Sequence, residues 1–329
     1  MSPYAAEQTA EQGVPILRLK DSAHGMELSI LPALGNRAYQ LNVHEQNILY
    51  YPPGDLSAHM QNPSFGGIPF LAPWADLLDE PAFWANDKRY GFNMTLGNVS
   101  GERPIHGLLA DSPHWEVTDL AADSRSAHAT SRLAFWRYPD LMAQWPFAHD
   151  YEMTYRLSDG VLEVETTVRN VSAEPMPVAI GFHPYFQIPG IPRDAWVAHL
   201  AARVHVMADE YQIPTGDMRP LDIPNPFPLR GQTLDDGFTD LERDADGRAR
   251  FSIEATGKMI EILFGPRYPV ATIYLPPSPE DSREFICIEP LATIISGVNL
   301  AHQGKYAGLQ TLPAGAKWTE SFWIRTSGF

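Results

Sequence analysis

Along most of its length the chain alternates apolar and polar residues in short runs bounded by Gly, Pro, Asn, Asp and Ser, without sustained helical periodicity. Alternation of this kind sends successive side chains to opposite faces of a strand. It is clearest between Tyr151 and Asn170. Tyr151, Met153, Tyr155 and Leu157 share one face, Ser158-Asp159-Gly160 supplies turn residues, and Leu162, Val164, Thr166 and Val168 share a face on the return, which predicts a hairpin. Comparable runs predict strands at Ile16–Lys20, Glu27–Leu31, Ala38–Val43, Trp115–Leu120, Ala127–Phe135, Val178–Phe182, Trp196–Leu200, Arg250–Glu254, Met259–Phe264, Ala271–Leu275, Phe285–Glu289 and Trp318–Arg325. So many strands bury their apolar faces only by packing as two sheets. The expected fold is all-β, a large antiparallel β-sandwich with few short helices.

The prolines fall mostly in stretches that this pattern leaves as connections, such as Ile213–Leu229 and Leu275–Pro279, where a missing N–H costs least. No internal repeat, low-complexity tract or shift in composition marks a linker. A single domain over residues 1–329 is therefore expected, with residues 1–13 as a flexible N-terminal extension.

With 329 residues, 44% hydrophobic and 19% charged, the chain has ample material for a core. Its net charge of −16, with no Lys/Arg-rich run, repels a phosphate backbone and an anionic membrane, so neither nucleic acid nor membrane is an expected partner. Cys287 stands alone, which excludes an intrachain disulfide and a cysteine-based metal site. Met1–Gly13 carries Glu7 and Glu11 and lacks the basic start and apolar run of a signal peptide, and no segment approaches the roughly 18 apolar residues of a membrane span. A cytoplasmic location is the expectation.

Three segments present ionisable side chains within apolar, constrained frames: Pro104-Ile105-His106-Gly107, Gly181-Phe182-His183-Pro184-Tyr185-Phe186 and Phe285-Ile286-Cys287-Ile288-Glu289-Pro290. In the last, alternation puts Glu289 on the face of Phe285 and Cys287. A carboxylate ending an apolar strand must find solvent, a partner or a ligand, because an unpaired buried charge costs several kcal/mol. Each segment also has a plain structural reading: Glu289 as an ion-paired strand end, His183 as a satisfied core histidine, His106 as a turn former. The other histidines lack such a frame and are assigned to surface or packing.

Taken together and in order, these segments resemble the aldose 1-epimerase (galactose mutarotase) family, and the resemblance covers nearly the whole chain. Phe65-Gly66-Gly67-Ile68-Pro69-Phe70-Leu71-Ala72-Pro73-Trp74 is similar to the family's GG-I-P segment, and the other three to its I-H-G, G-x-H-P-Y-F and C-x-E-P segments. The resemblance implies a galactose mutarotase-like supersandwich, an isomerase of free aldohexoses, and a site without metal or cofactor. It implies that His183 is the general acid, Glu289 the general base and His106 a second sugar-contacting histidine. Asp235 matches the aspartate that holds sugar hydroxyls, with neighbouring Asp236 as the alternative, and Trp74, Tyr185 and Phe238 are aromatic candidates against the sugar ring. After Pro73-Trp74 the family commonly shows Ala-Asn-Arg, whereas this chain has Ala75-Asp76-Leu77, so the arginine's position holds Leu77.

Interconverting anomers requires the C1 hydroxyl to lose a proton and the ring oxygen to gain one. A glutamate near its ordinary pKa of about 4.3 would be ionised and a histidine near about 6.5 could be charged, and a neighbouring carboxylate would favour the charged imidazole. A bell-shaped pH profile with the Glu limb below the His limb is expected. Two other readings stand beside this one. A hexose-6-phosphate epimerase would need a basic clamp, for which Arg37, Arg89 and Lys88 are candidates; a non-catalytic carbohydrate-binding or sensing protein is the reading that Leu77 invites. A polysaccharide lyase of similar shape and a two-His, one-carboxylate metal site at His106, His183 and Glu289 are further alternatives. Monomer and homodimer are equally compatible with the sequence.

Overall fold

The hairpin between Tyr151 and Asn170 is formed by strands His149–Ser158 and Val161–Asn170, paired in register at Leu157–Leu162 and Ser158–Val161. Asp159 and Gly160 close it with φ of 51° and 71°, the left-handed pair that a two-residue turn needs to match strand twist. In the computed structural model, which describes residues 2–96, 98–277 and 281–329, this hairpin is the centre of a nine-stranded antiparallel sheet. On one side follow Ala127–Ala134 and Glu116–Ala122; on the other follow Lys317–Ser327, Lys258–Phe264, Ala249–Ala255, Val197–His199 and Phe227–Pro228.

An eight-stranded sheet packs against it in the order Pro214–Pro220, Ala202–Ala208, Leu234–Leu241, Val270–Leu275, Ile286–Leu291, Gly181–Phe182 and Phe70–Leu71, with Tyr185–Phe186 also paired to Ile286–Leu291. Tyr155, Leu162, Val164 and Phe322 of the first sheet and Phe182, Ile273, Ile286 and Ile288 of the second meet in one continuous core. The third sheet, of five strands, is a meander from Tyr4–Glu11 to Gln46–Asn47. Among the described residues the α-helices are three, of six residues each, and no helix is long and apolar enough to cross a membrane. The protein is thus the all-β sandwich that its alternation predicts.

Three expectations need correction. Tyr4–Glu11, placed in a flexible extension, is a strand paired along its whole length with Val14–Asp21; its acidic alternation disguised an edge strand whose Tyr4 is buried. Pro214–Pro220 is likewise a strand inside a segment taken as connection, tolerated because it lies at the sheet edge. The strand expected at Val178–Phe182 is split into Met176–Val178, which pairs with Gln310–Leu312, and Gly181–Phe182, which joins the eight-stranded sheet. Of the Leu275–Pro279 connection, Ser278 and Pro279 lie outside the described residues.

The meander is tied to the nine-stranded sheet by buried polar groups as well as by apolar contact. The Tyr155 hydroxyl donates to the Asn36 carbonyl at 2.9 Å, and Ser131 donates to the Asn36 side chain. Substitution of Tyr155 by Phe leaves that carbonyl without its donor in a buried place, and should cost about 1 to 2 kcal/mol in urea denaturation without changing the m-value.

Candidate active site

Cross-strand register in the eight-stranded sheet builds the floor of a cleft of about 650 Å³, within the range of small-ligand sites. Asp235 lies opposite Tyr274, Tyr274 opposite Cys287, and Cys287 opposite Tyr185, so one row crosses four strands. Phe285 and Glu289 flank Cys287 on the same face of Ile286–Leu291 and its preceding residue, while Ile286 and Ile288 point into the core. The alternation argument for Glu289 therefore holds.

His183 reaches the same floor because its strand breaks. Pro184 has no N–H to continue the ladder, and pairing with Ile286–Leu291 stops at Gly181 and resumes at Tyr185. The His183 amide donates to the Pro69 carbonyl, and its ring stacks on Tyr185 at 4.7 Å. Its Nε2 then lies 3.3 Å from Glu289 Oε1. The third side, residues 72–78 against 104–108, is a clamp of two loops: Leu77 bridges Ile105, the His106 amide donates to the Asp76 carbonyl, and Leu108 donates to that of Ala72. Gly107, at φ 66°, lets the loops close, since a Cβ there would sit 2.2 Å from the Ala72 oxygen. His106 and His183 approach edge to face at 5.3 Å.

Glu289 is 1% exposed and His183 6%. Burial, followed by the charges of Asp76 and Asp235, holds the Glu289 carboxyl well above the ordinary carboxylate range. Burial, followed by His106, holds His183 well below the ordinary imidazole range. His106 is lowered to about 4 by burial. Asp76 is raised to about 7 by burial and Asp235, and Asp235 to about 6 by burial and Asp236. Burial thus works against the expectation of an ionised glutamate beside a charged histidine: it favours the neutral acid and the neutral imidazole. Glu289 Oε2, His183 Nδ1 and His106 Nδ1 are buried with no hydrogen-bond partner among the described residues. Polar atoms left so are costly unless a ligand or water completes them.

His106, His183, Tyr185, Asp235 and Glu289 thus come together, while Trp74 and Phe238 do not. Trp74 is turned into the core by its bridge to Ala179 and packs on Phe92 and Trp145. Phe238 is buried against His205. Asp235 faces the cleft, whereas Asp236, one residue on, faces His205 at 3.4 Å. The cations considered for a phosphate clamp are engaged elsewhere: Arg37 is buried and ion-paired with Asp111, Arg89 pairs with Glu80, and Lys88 with Glu174. Among the described residues no three His, Cys, Asp or Glu side chains converge to hold a metal ion. Sequence reasoning missed Tyr274, Arg103 and Tyr211, and saw Asp76 only as a departure from a motif. Arg103, two residues before Ile105, carried the only readable signal, a shared strand face.

Comparison with known proteins gives a family and a fold. The family model described as aldose 1-epimerase matches residues 17–325. A galactose mutarotase-like protein from Clostridium acetobutylicum has a similar structure at TM-score 0.87 and 20% identity, covering 99% of each chain. The Slr1438 protein of Synechocystis follows at TM-score 0.75 and 23% identity, over 99% of this chain and 98% of that one. A galactose 1-epimerase from Lactobacillus acidophilus gives 0.73 and 14%, covering 99% of each. At these identities the likeness is one of fold.

Asp76 ties the site to stability. Its folded pKa of about 7 lies above the ordinary 3.8, so its contribution to stability is fully present below pH 3.8 and is lost as pH rises through 7. Asp76→Asn should therefore stabilise the protein by about 1 to 3 kcal/mol at pH 8, with a smaller gain at pH 4. Denaturant melts at the two pH values measure the difference, and an equal effect at both would contradict the assignment.

Proposed function

The chain belongs to the aldose 1-epimerase family, and from that premise we propose that it interconverts the α and β anomers of a free aldohexose, with His183 and Glu289 as the proton-transfer pair. The observation that carries the reading is the 3.3 Å approach of His183 Nε2 to Glu289 Oε1 on the floor of a cleft where neither side chain has another hydrogen-bond partner among the described residues. Two groups sharing one proton suffice for ring opening. One accepts the proton of the C1 hydroxyl as the C1–O5 bond breaks, and the other gives a proton to O5. The aldehyde then turns about C1–C2, and reclosure runs the transfers backwards.

In the roles that fit the resemblance, Glu289 takes the hydroxyl proton and His183 supplies O5. That requires the shared proton on the histidine, whereas burial favours it on the glutamate. Sugar hydroxyls resolve the conflict. Hydrogen bonds donated to Glu289 stabilise its ionised form, so binding draws the proton towards His183. In this reading Asp235 and His106 hold the remaining hydroxyls and Tyr185 lies along the ring, roles supported by their lining of the cleft.

Because the pair works with one proton, activity falls when a second is added or the one is lost. Adding one is opposed by the lowered histidine and losing one by the raised glutamate, so the acid limb falls below 6.5 and the alkaline limb lies above 4.5. The carboxylate governs the alkaline side, the inverse of the order expected from free side chains. Asp76→Asn removes a negative neighbour of Glu289 and should shift the alkaline limb to lower pH.

Polarimetry on freshly dissolved α-glucose and α-galactose measures the activity. The protein should speed the decay of rotation, and Glu289→Gln should slow that catalysed decay by about 10²- to 10⁴-fold while the variant still unfolds in a single cooperative denaturation transition. Decay at the buffer rate with wild-type protein, accompanied by sugar binding, would instead make the protein a carbohydrate binder.

A further inference from the structure

We infer that Arg103 is the sugar-orienting cation of this cleft, a residue that binds substrate hydroxyls from the wall it shares with Leu77 and Ile105; the inference rests on the proposed sugar site and deepens it. The floor is rich in carboxyl groups, with Asp76, Asp235 and Glu289 all lining it. Carboxylates accept hydrogen bonds from sugar hydroxyls, and each hydroxyl oxygen then has lone pairs that call for a donor. Two guanidinium groups line the same cleft. Arg283 is already held by both carboxylate oxygens of Asp281. Arg103 forms no ion pair among the described residues, and its buried Nε has no hydrogen-bond partner there. Its guanidinium is nevertheless fixed, lying over the Tyr211 ring at 4.5 Å.

The register explains why this cation reaches the site. Leu77 bridges Ile105 in antiparallel fashion, so these two side chains share a face, and Arg103, two residues before Ile105, shares it too. All three line the cleft. A diagonal neighbour of this kind lies about 7 to 8 Å across the ladder, well inside the reach of an arginine. The chain therefore presents this guanidinium, unpaired among the described residues, from the segment bridged to Leu77 and on the same face of the cleft.

The test reads sugar affinity by calorimetry beside KM and kcat by polarimetry, using the full chain. Arg103→Met should raise both Kd and KM by about 10- to 100-fold, with a smaller change in kcat. Arg103→Lys, which keeps the charge and loses the planar fork, should fall between Met and wild type. The double variant Leu77→Arg with Arg103→Met returns a guanidinium to the same face and should recover a large part of the affinity. Wild-type affinity in Arg103→Met overturns the inference. So does a loss that neither Lys nor the folded double variant relieves, which would assign Arg103 to holding the Tyr211 loop. A wild-type protein that binds sugar without turning it over defeats the proposed activity alone, since the dissociation constants still decide the role of Arg103.

Discussion

The approach of His183 to Glu289 is the constraint around which the eight-stranded sheet is arranged. Both groups are sealed from water, and a carboxyl and an imidazole in that state are stable only as a neutral pair or a close ion pair. Holding them there takes strand pairing on both sides of Ile286–Leu291, a proline that interrupts the neighbouring strand at His183, and a core on the far face that fixes Ile286 and Ile288. The strand that carries Glu289 is thus held by ladders on both sides.

Asp76 and Asp235 make this arrangement more costly than a pair alone. Three carboxyl groups in one poorly hydrated cleft cannot all ionise without mutual repulsion, and their raised pKa values express that. A fold selected for stability alone would not gather them. Asp235 and Glu289 come from strands of the eight-stranded sheet, and Asp76 from the loop 72–78, which is closed against 104–108 by backbone hydrogen bonds and by the absence of a side chain at Gly107. The same closure puts Arg103 on the face of the cleft that Leu77 shares with Ile105.

Much of this was legible in the order of residues. Period-two alternation gave the sandwich and the hairpin at Asp159-Gly160, and it correctly put Glu289 beside Phe285 and Cys287 rather than beside Ile286. The motif residues His106, His183 and Asp235 do meet in the cleft. Where reading failed, it failed for local reasons. Trp74 sits next to a motif, but a bridge to Ala179 rotates it into the core; Tyr4–Glu11 has a polar outer face that makes an edge strand look like a tail; and the Pro214–Pro220 strand hides among prolines that an edge position tolerates.

By itself, then, the sequence determined which faces of the strands are buried, because side-chain alternation is a local property of extended backbone. It also determined which residue types are available for proton transfer. Only the tertiary structure decided which of Asp235 and Asp236 enters the cleft, which cation lines it without an ion pair among the described residues, and in which direction burial moves the Glu289 carboxyl and the His183 imidazole. Those outcomes depend on pairing between segments far apart in the chain and on the water excluded between them, and neither register across distant strands nor desolvation can be read from neighbours in sequence.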